Sequence, residues 1–338
     1  MLEDALSDTD GIRSIDLDVG LAMPLPVTFG RNGSGPRVLI LGGTHGDEAE
    51  GQIAVAELAR DLPGLPFSGT IICLPRHNPI ACAAGTRTDP KTDTDLCRQY
   101  REGSLSGPLA PIVGLVRDRL MPGCDWLIDL HSGGTSGVFV PSGNVQAKVG
   151  SAEDLAMRPA LHAFGAPFGI VFDEIEDGSM AHTGTPEALA RKRGIRAFSS
   201  ELGGGGAVGA ASMAAARDGL RALLRHIGSL PGATGAPRRT TLLRLDRPEH
   251  SVIAPVAGLV EPIVALGAAV TRGETIARLH PRNPREAPLT IVAAVSGVLA
   301  MMTARANAEP GDTLAFVCEP IADGGEPQMS ILHLETAP

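Results

Sequence analysis

"RVLILGGTHGDEAEGQIAVAELARDL", Arg37 to Leu62, carries the reading of the fold. Val38 to Leu41 form an unbroken apolar run that stops at the pair Gly42–Gly43, the mark of a strand buried on both faces and ended by a turn. Beyond Glu48, apolar residues recur three and four apart (Val55, Leu58, Leu62), which predicts an amphipathic helix. Between strand and helix the chain places His45, Asp47 and Glu48.

The same alternation continues along the chain. "GTIICLP" (Gly69–Pro75), "DWLIDL" (Asp125–Leu130) and "RAFSSEL" (Arg196–Leu202) read as strands. "GPLAPIVGLVRDRLM" (Gly107–Met121) reads as one long helix, and "VGAASMAAARDGLRALLRHIGSL" (Val208–Leu230) as another. Strands that are continuous apolar runs separated by helices predict an α/β domain with a mostly parallel sheet covered on both faces. Residues 1–36 read as a loose lead-in, ending in the turn "FGRNGSGP" (Phe29–Pro36). The proline- and glycine-rich "PGATGAPRRT" (Pro231–Thr240) reads as a linker, so the catalytic domain is expected over 37–240. Residues 241–338 turn to short alternating runs and hold a weak repeat, starting at Gly258 and again at Gly297, with Gly273 and Gly311 in matching places. Two such hairpin-like halves predict a small all-β module.

Composition narrows the partners. Hydrophobic residues make up 43% of 338, with only eight Phe, one Tyr and one Trp, so the core must be aliphatic. A net charge of −9 argues against nucleic acid, which would want a basic face. Five scattered cysteines with no C-x-x-C pair suit a reducing compartment. No secretory signal and no run of eighteen apolar residues is visible, which predicts a cytoplasmic protein without a membrane partner.

Ligands in open α/β sheets gather beyond the carboxyl ends of strands. Three predicted strands end in reactive residues: His45 and Glu48 on the first, His131 in "LIDLHSGG", and Glu201 in "AFSSELGGGG". Two imidazoles and a carboxylate are the ligand set of a catalytic zinc site, and Glu201 is then the candidate to move the proton of the attacking water. Each residue alone has an ordinary explanation. H-x-x-E arises by chance, a histidine after a strand is commonly a satisfied loop residue, and Glu201 could cap a helix N-terminus. Asp129, two residues before His131, is a candidate to orient that ligand, or a buried strand-end carboxylate. Of the other histidines, His182 is the candidate to line the pocket, and the rest, His77 included, read as packing or solvent residues. Asp47 and Glu50 read as loop or early-helix acids.

"GGTHGDEAEG", "DLHSGG" and "SSELGGGG", in this order, resemble the succinylglutamate desuccinylase/aspartoacylase family, and "PLPVTFGRNGSGP" and "AAGTRTDP" are similar to it as well. The resemblance implies a zinc-carboxypeptidase-like mixed sheet flanked by helices, with His45, Glu48 and His131 as Zn2+ ligands and Glu201 as general base. It also implies that Arg87 meets the developing oxyanion and that Arg98 grips the substrate carboxylate, as a guanidinium can through two parallel hydrogen bonds. The family's asparagine before that arginine is Cys97 here, and a thiol is too weak a donor to replace an amide at a substrate-binding position. The C-terminal module resembles a biotinyl/lipoyl-type barrel-sandwich, but "LAMMTA" (Leu299–Ala304) lacks the carrier lysine. That leaves covering the active site or joining a homo-oligomer as its role. The expected activity is zinc-dependent removal of an acetyl- or succinyl-type N-acyl group from a small amino acid. A carboxypeptidase acting on short peptides, or a non-enzymatic binding protein of the same fold, are the alternatives.

Overall fold

The computed structural model describes residues 9–173, 184–233 and 240–322. Its large sheet begins with β1 (Gly11–Leu17) and β2 (Leu25–Asn32), followed by β3 (Arg37–Gly42), β4 (Gly69–Leu74) and β5 (Trp126–His131). A short β6 (Gly137–Phe139) follows, then β7 (Ser142–Gln146), β8 (Phe168–Phe172), β9 (Arg196–Glu201) and β10 (Thr241–Leu245). The helices are α1 (Ala49–Asp61), α2 (Pro79–Ala84), α3 (Ala110–Leu115), α4 (Ala152–Phe164), α5 (Pro186–Lys192) and α6 (Ala210–His226). Spatially the strands run β1-β2-β4-β3-β5-β9-β7-β8-β10. The central four, β4, β3, β5 and β9, are parallel, whereas β7 runs antiparallel to β9 and parallel to β8.

The period-two rule places the core. On β3, Val38 and Ile40 join the layer built by Val55, Leu58, Phe164 and Leu220, while Leu39 and Leu41 join Tyr100, Ile112, Val116 and Leu189 on the other side. Helices α1, α4 and α6 cover the first face, and α3 and α5 the second. A strand buried on both sides has no polar alternation, which is why "VLIL" is continuous.

Three expectations need correction. Much of the supposed lead-in is ordered sheet: β1 pairs antiparallel with β2 along its whole length, and β2 pairs antiparallel with β4. Strand β1 forms an edge with only Leu17 buried, so its sequence carries little apolar signal. The predicted long helix at Gly107–Met121 begins only at Ala110, with Pro111 in its first turn where its missing N–H is harmless, and passes into a π turn over Val116–Leu120. The sheet as a whole is mixed, as the family resemblance implies and not mostly parallel as the apolar runs alone suggest, because β1, β2 and β7 each introduce antiparallel pairing.

After β10 the described chain forms strands without an α-helix between them: β11 (Ser251–Ile253), β12 (Gly258–Pro262), β13 (Ala269–Val270), β14 (Thr275–Pro281), β15 (Leu289–Val292), β16 (Gly297–Thr303), β17 (Asn307–Ala308) and β18 (Thr313–Pro320). The two repeats become β12-β13-β14 and β16-β17-β18. Each repeat's middle strand pairs with the other's first strand, β17 with β12 and β13 with β16, around an aliphatic core that includes Ile276, Leu279, Leu299 and Val317. Two seams join this region to the rest. Strand β18 pairs with β10, and β16 pairs with β6, the segment that follows His131. Among the described residues no helix is long and apolar enough to cross a membrane.

Candidate active site

The carboxyl ends of β3, β5 and β9 lie side by side, and His131 on β5 is directly opposite Glu201 on β9. His45 hangs from the loop after β3, and Glu48 ends that loop as the residue before α1. Helix α1 approaches β5 closely because Gly51 has no side chain: a Cβ there would stand 2.2 Å from the Leu130 carbonyl oxygen. That contact brings Glu48 against His131.

His45 Nδ1 lies 2.6 Å from Glu48 Oε1, and His131 Nδ1 lies 2.7 Å from Glu48 Oε2. The two rings are 4.9 Å apart between centroids. All three residues are buried, and their ligand atoms fall within 4.8 Å of one another. The other nitrogen of each imidazole faces a carboxylate: His45 Nε2 is 3.3 Å from Asp95 Oδ1, outside hydrogen-bond geometry, and His131 Nε2 is 3.2 Å from Asp129 Oδ2. Nitrogen donors aimed inward and anchored outward by carboxylates are how proteins orient histidine ligands. Burial alone would push both imidazoles down, yet Glu48 and Asp95 hold His45, and Asp129 and Glu48 hold His131, well above the ordinary value. Glu48 is held far below the usual carboxylate range by the two imidazoles, against its burial. The pocket thus stabilises positive charge at the point where the three side chains meet, and a divalent cation suits this donor set.

Asp129 is the end of a buried chain of hydrogen bonds. Thr44 Oγ1 donates to Asp129 at 2.9 Å, since a carboxylate can only accept. Its single proton is thereby used, so at 2.9 Å from His77 Nδ1 the hydroxyl accepts, and His77 carries its proton on Nδ1. Burial keeps His77 neutral, pushed down to about 4. Nε2 is therefore an acceptor, and Tyr100 donates its hydroxyl to it at 2.5 Å. Every donor in the series points towards Asp129, reinforcing the charge that faces His131. His77, expected as a packing residue, has a polar role that no spacing in the sequence announces.

Glu201 stands at the edge of this cluster, fully sequestered on its Oε2, which has no hydrogen-bond partner. Burial and then the nearby Glu48 charge push it up to about 8. Arg87 reaches over the cluster, 3.6 Å from Glu48 Oε1 and 3.2 Å from Asp95 Oδ2. Cys97 is buried in hydrogen-bonding range of His45, with its backbone N–H on Asp95 Oδ1 at 2.9 Å, and Arg98 follows it into the cavity wall. All seven residues singled out from the sequence (His45, Glu48, Arg87, Cys97, Arg98, His131 and Glu201) line one cavity of about 670 Å³. His182 lies outside the described residues.

Sequence reasoning missed several members. Asp95 sits two residues before Cys97, and only folding shows it between His45 and Arg87. Glu187, in the first turn of α5, comes within 3.7 Å of His131 Nε2. The far wall comes from the C-terminal strands, with Met301, Thr303, Arg305 and Asn307 facing the same cavity. Their place follows from the β6–β16 seam, reinforced by the Ala304 N–H on the Ser136 carbonyl at 3.0 Å.

The chain is similar to known proteins in sequence and in fold. Residues 34–227 match the succinylglutamate desuccinylase/aspartoacylase catalytic domain. The N-alpha-acetyl-L-2,4-diaminobutyric acid deacetylase of Halomonas elongata is 33% identical over 310 residues, 90% of this chain and 88% of that protein. A succinylglutamate desuccinylase/aspartoacylase from Rhodobacter sphaeroides superposes with a TM-score of 0.83 at 30% identity, covering 94% of this chain and 97% of that one. The product-bound ectoine utilization protein EutE (DoeB) from Ruegeria pomeroyi gives 0.80 at 30% identity, over 92% and 96%.

Proposed function

The chain belongs to the succinylglutamate desuccinylase/aspartoacylase family, and on that footing we propose that it is a zinc-dependent amidohydrolase that removes an N-acyl group from a small amino acid. The observation that carries this reading is the convergence of His45 Nδ1, the Glu48 carboxylate and His131 Nδ1, with Glu201 beside them at the same strand ends. The Halomonas relative, named for deacetylating an N-acetylated diamino acid, supports the same class of reaction.

In this proposal His45, Glu48 and His131 hold the zinc, which when bound polarises the acyl carbonyl and acidifies water. Glu201 takes the proton from the attacking water and returns it to the departing nitrogen. Without a metal, burial and the Glu48 charge push this carboxyl up, and a bound cation beside it would favour the ionised form that accepts the proton. The Arg87 guanidinium, already facing Glu48 and Asp95, is placed to meet negative charge developing on the carbonyl oxygen. Arg98 anchors the substrate carboxylate, and Cys97 leaves more room and weaker hydrogen bonding beside it than the family's asparagine would. Asp129, Asp95 and Glu187 position the histidines.

We assign hydrolysis to residues 37–240. The β module that follows them takes the role of a barrel-sandwich-like wall on the substrate cavity, supported by Met301 and Arg305 in its lining. A cytoplasmic location belongs to the same proposal, from the cysteine pattern. The cavity volume also leaves space for a short peptide, the substrate of a carboxypeptidase. Metal-quantified protein set against N-acyl amino acids and dipeptides separates the two. Turnover of the N-acyl compounds, with about one zinc per chain, is the expected result. Cleavage of dipeptides alone would overturn the deacylase reading.

A further inference from the structure

Arg87 and Arg98 stand on one loop, which runs from the end of α2 to the single 3-10 turn Leu96–Arg98. The loop closes on itself at Asp89. Asp89 Oδ1 accepts the Lys91 and Thr92 N–H groups at 3.0 and 2.9 Å, and the Asp89 N–H donates to the Thr94 carbonyl at 3.0 Å. The Thr88 hydroxyl adds a further tie to Asp93 at 2.7 Å. The two legs of the loop therefore run side by side, with Arg87 on the first and Asp95 on the second. The first leg is fixed to the loop that carries His45, because the Thr86 carbonyl accepts the Gly46 N–H at 2.9 Å.

Asp95 joins the legs and uses its two oxygens differently. Oδ2 takes Arg87 Nη2 at 3.2 Å, which leaves Nη1 of the same fork 3.6 Å from Glu48 Oε1. Oδ1 takes the Cys97 N–H at 2.9 Å and so caps the Leu96–Arg98 turn. Behind that cap the Asp95 carbonyl accepts the Arg98 N–H at 3.2 Å and the Gln99 side-chain amide at 3.1 Å. Past the turn, the Tyr100 N–H donates to the Gly184 carbonyl at 2.7 Å, and a Cβ on Gly184 would stand 2.9 Å from the Arg98 carbonyl oxygen. Arg98 thus leaves a turn held at both ends, and the cap sets its direction into the cavity wall.

We propose that Asp95 is a positioning residue for both arginines, orienting Arg87 through its charge and Arg98 through the cap. This rests on the deacylase reading above and deepens it, because an N-acyl amino acid needs one guanidinium at its oxyanion and another at its carboxylate in the same complex. The two oxygens give the proposal a signature. Asparagine caps a turn as well as aspartate does, but it has no charge to hold Arg87. Alanine supplies neither.

The test compares Asp95→Asn with Asp95→Ala in the zinc-loaded full chain, using an N-acetyl amino acid. Asp95 Oδ1 also faces His45 Nε2 at 3.3 Å, so zinc per chain is measured on each preparation. Asp95→Asn is expected to lower kcat about 10–100-fold while KM stays within about twofold of wild type. Asp95→Ala should show the same loss in kcat together with a KM raised about tenfold. A role in folding alone would lower the active fraction and leave KM equal in the two variants. Titration calorimetry with the free amino acid reads the carboxylate half without turnover. Its affinity should hold in Asp95→Asn and fall about tenfold in Asp95→Ala. Wild-type kcat in Asp95→Asn would overturn the Arg87 half, and equal affinities in the two variants would overturn the Arg98 half. No turnover of any N-acyl amino acid by the wild type would remove the deacylase reading and the Arg87 half with it, while the titration would still decide the Arg98 half.

Discussion

Two buried histidine-and-carboxylate sites in this chain are built from the same parts and end in opposite states. In the C-terminal region His250 is fully buried, accepts the Asp246 and Arg247 N–H groups on Nδ1 at 3.1 and 3.2 Å, and lies 2.9 Å from Glu319 through Nε2. Burial, followed by the Arg247 guanidinium, pushes it down to about 4, and both of its nitrogens are satisfied. At the strand ends, His45 and His131 are equally enclosed, yet carboxylates outnumber them and hold them well above the ordinary value. There Glu201 Oε2 has no partner, and the cluster opens onto a cavity. A closed, satisfied cluster fastens a fold. One that concentrates like charges and leaves an acceptor unmet beside open space is arranged for something that arrives.

The contrast can be broken by substitution, and the largest effect should come from Glu201. Glu201→Gln is expected to retain zinc and lose about 10²–10⁴-fold in kcat, read by turnover beside metal analysis. Wild-type rates in that variant would remove Glu201 from the mechanism. Next in size is Thr44→Val, which deletes the donor to Asp129 and should weaken zinc affinity about 10–100-fold in a competition assay. Thr44→Ser, which keeps the hydroxyl, should restore it. The ring ¹⁵N shifts of His77 should report a proton on Nδ1, and a proton on Nε2 would contradict the donor order running from Tyr100 to Asp129.

The smallest effects are in stability, and the two regions should differ in sign. Glu201 is raised in the folded state, so its folded form holds the extra proton. Its contribution is complete below about pH 4.5 and is lost as pH climbs through about 8. Metal-free wild type should therefore lose stability against Glu201→Gln over that window in denaturant melts. His250 is depressed, so the unfolded chain binds the proton first. Its contribution is complete above about pH 6.5 and disappears as pH falls through about 4, on the order of 1–3 kcal/mol. His250→Gln should flatten that acid limb, and an unchanged slope would show that His250 is not the titrating group.

What the sequence determined by itself is the local grammar. Continuous apolar runs such as Val38–Leu41 mark strands buried on both faces, and motifs such as "GGTHGDEAEG", "DLHSGG" and "SSELGGGG" mark the family. His131 and Glu201 could be singled out because each ends such a run, and His45 and Glu48 because they lie in the turn that follows one. Edge strand β1 and the π turn at Val116–Leu120 were illegible, since one lacks an apolar stripe and the other departs from the helical period. Only the tertiary structure decided the rest. Asp95, Glu187, His77 and Arg305 acquire meaning through contacts between segments far apart in the chain, such as β6 with β16. The physical reason is that backbone periodicity is a local property, whereas hydrogen-bond satisfaction, charge crowding and cavity shape depend on which surfaces the folded sheet brings together.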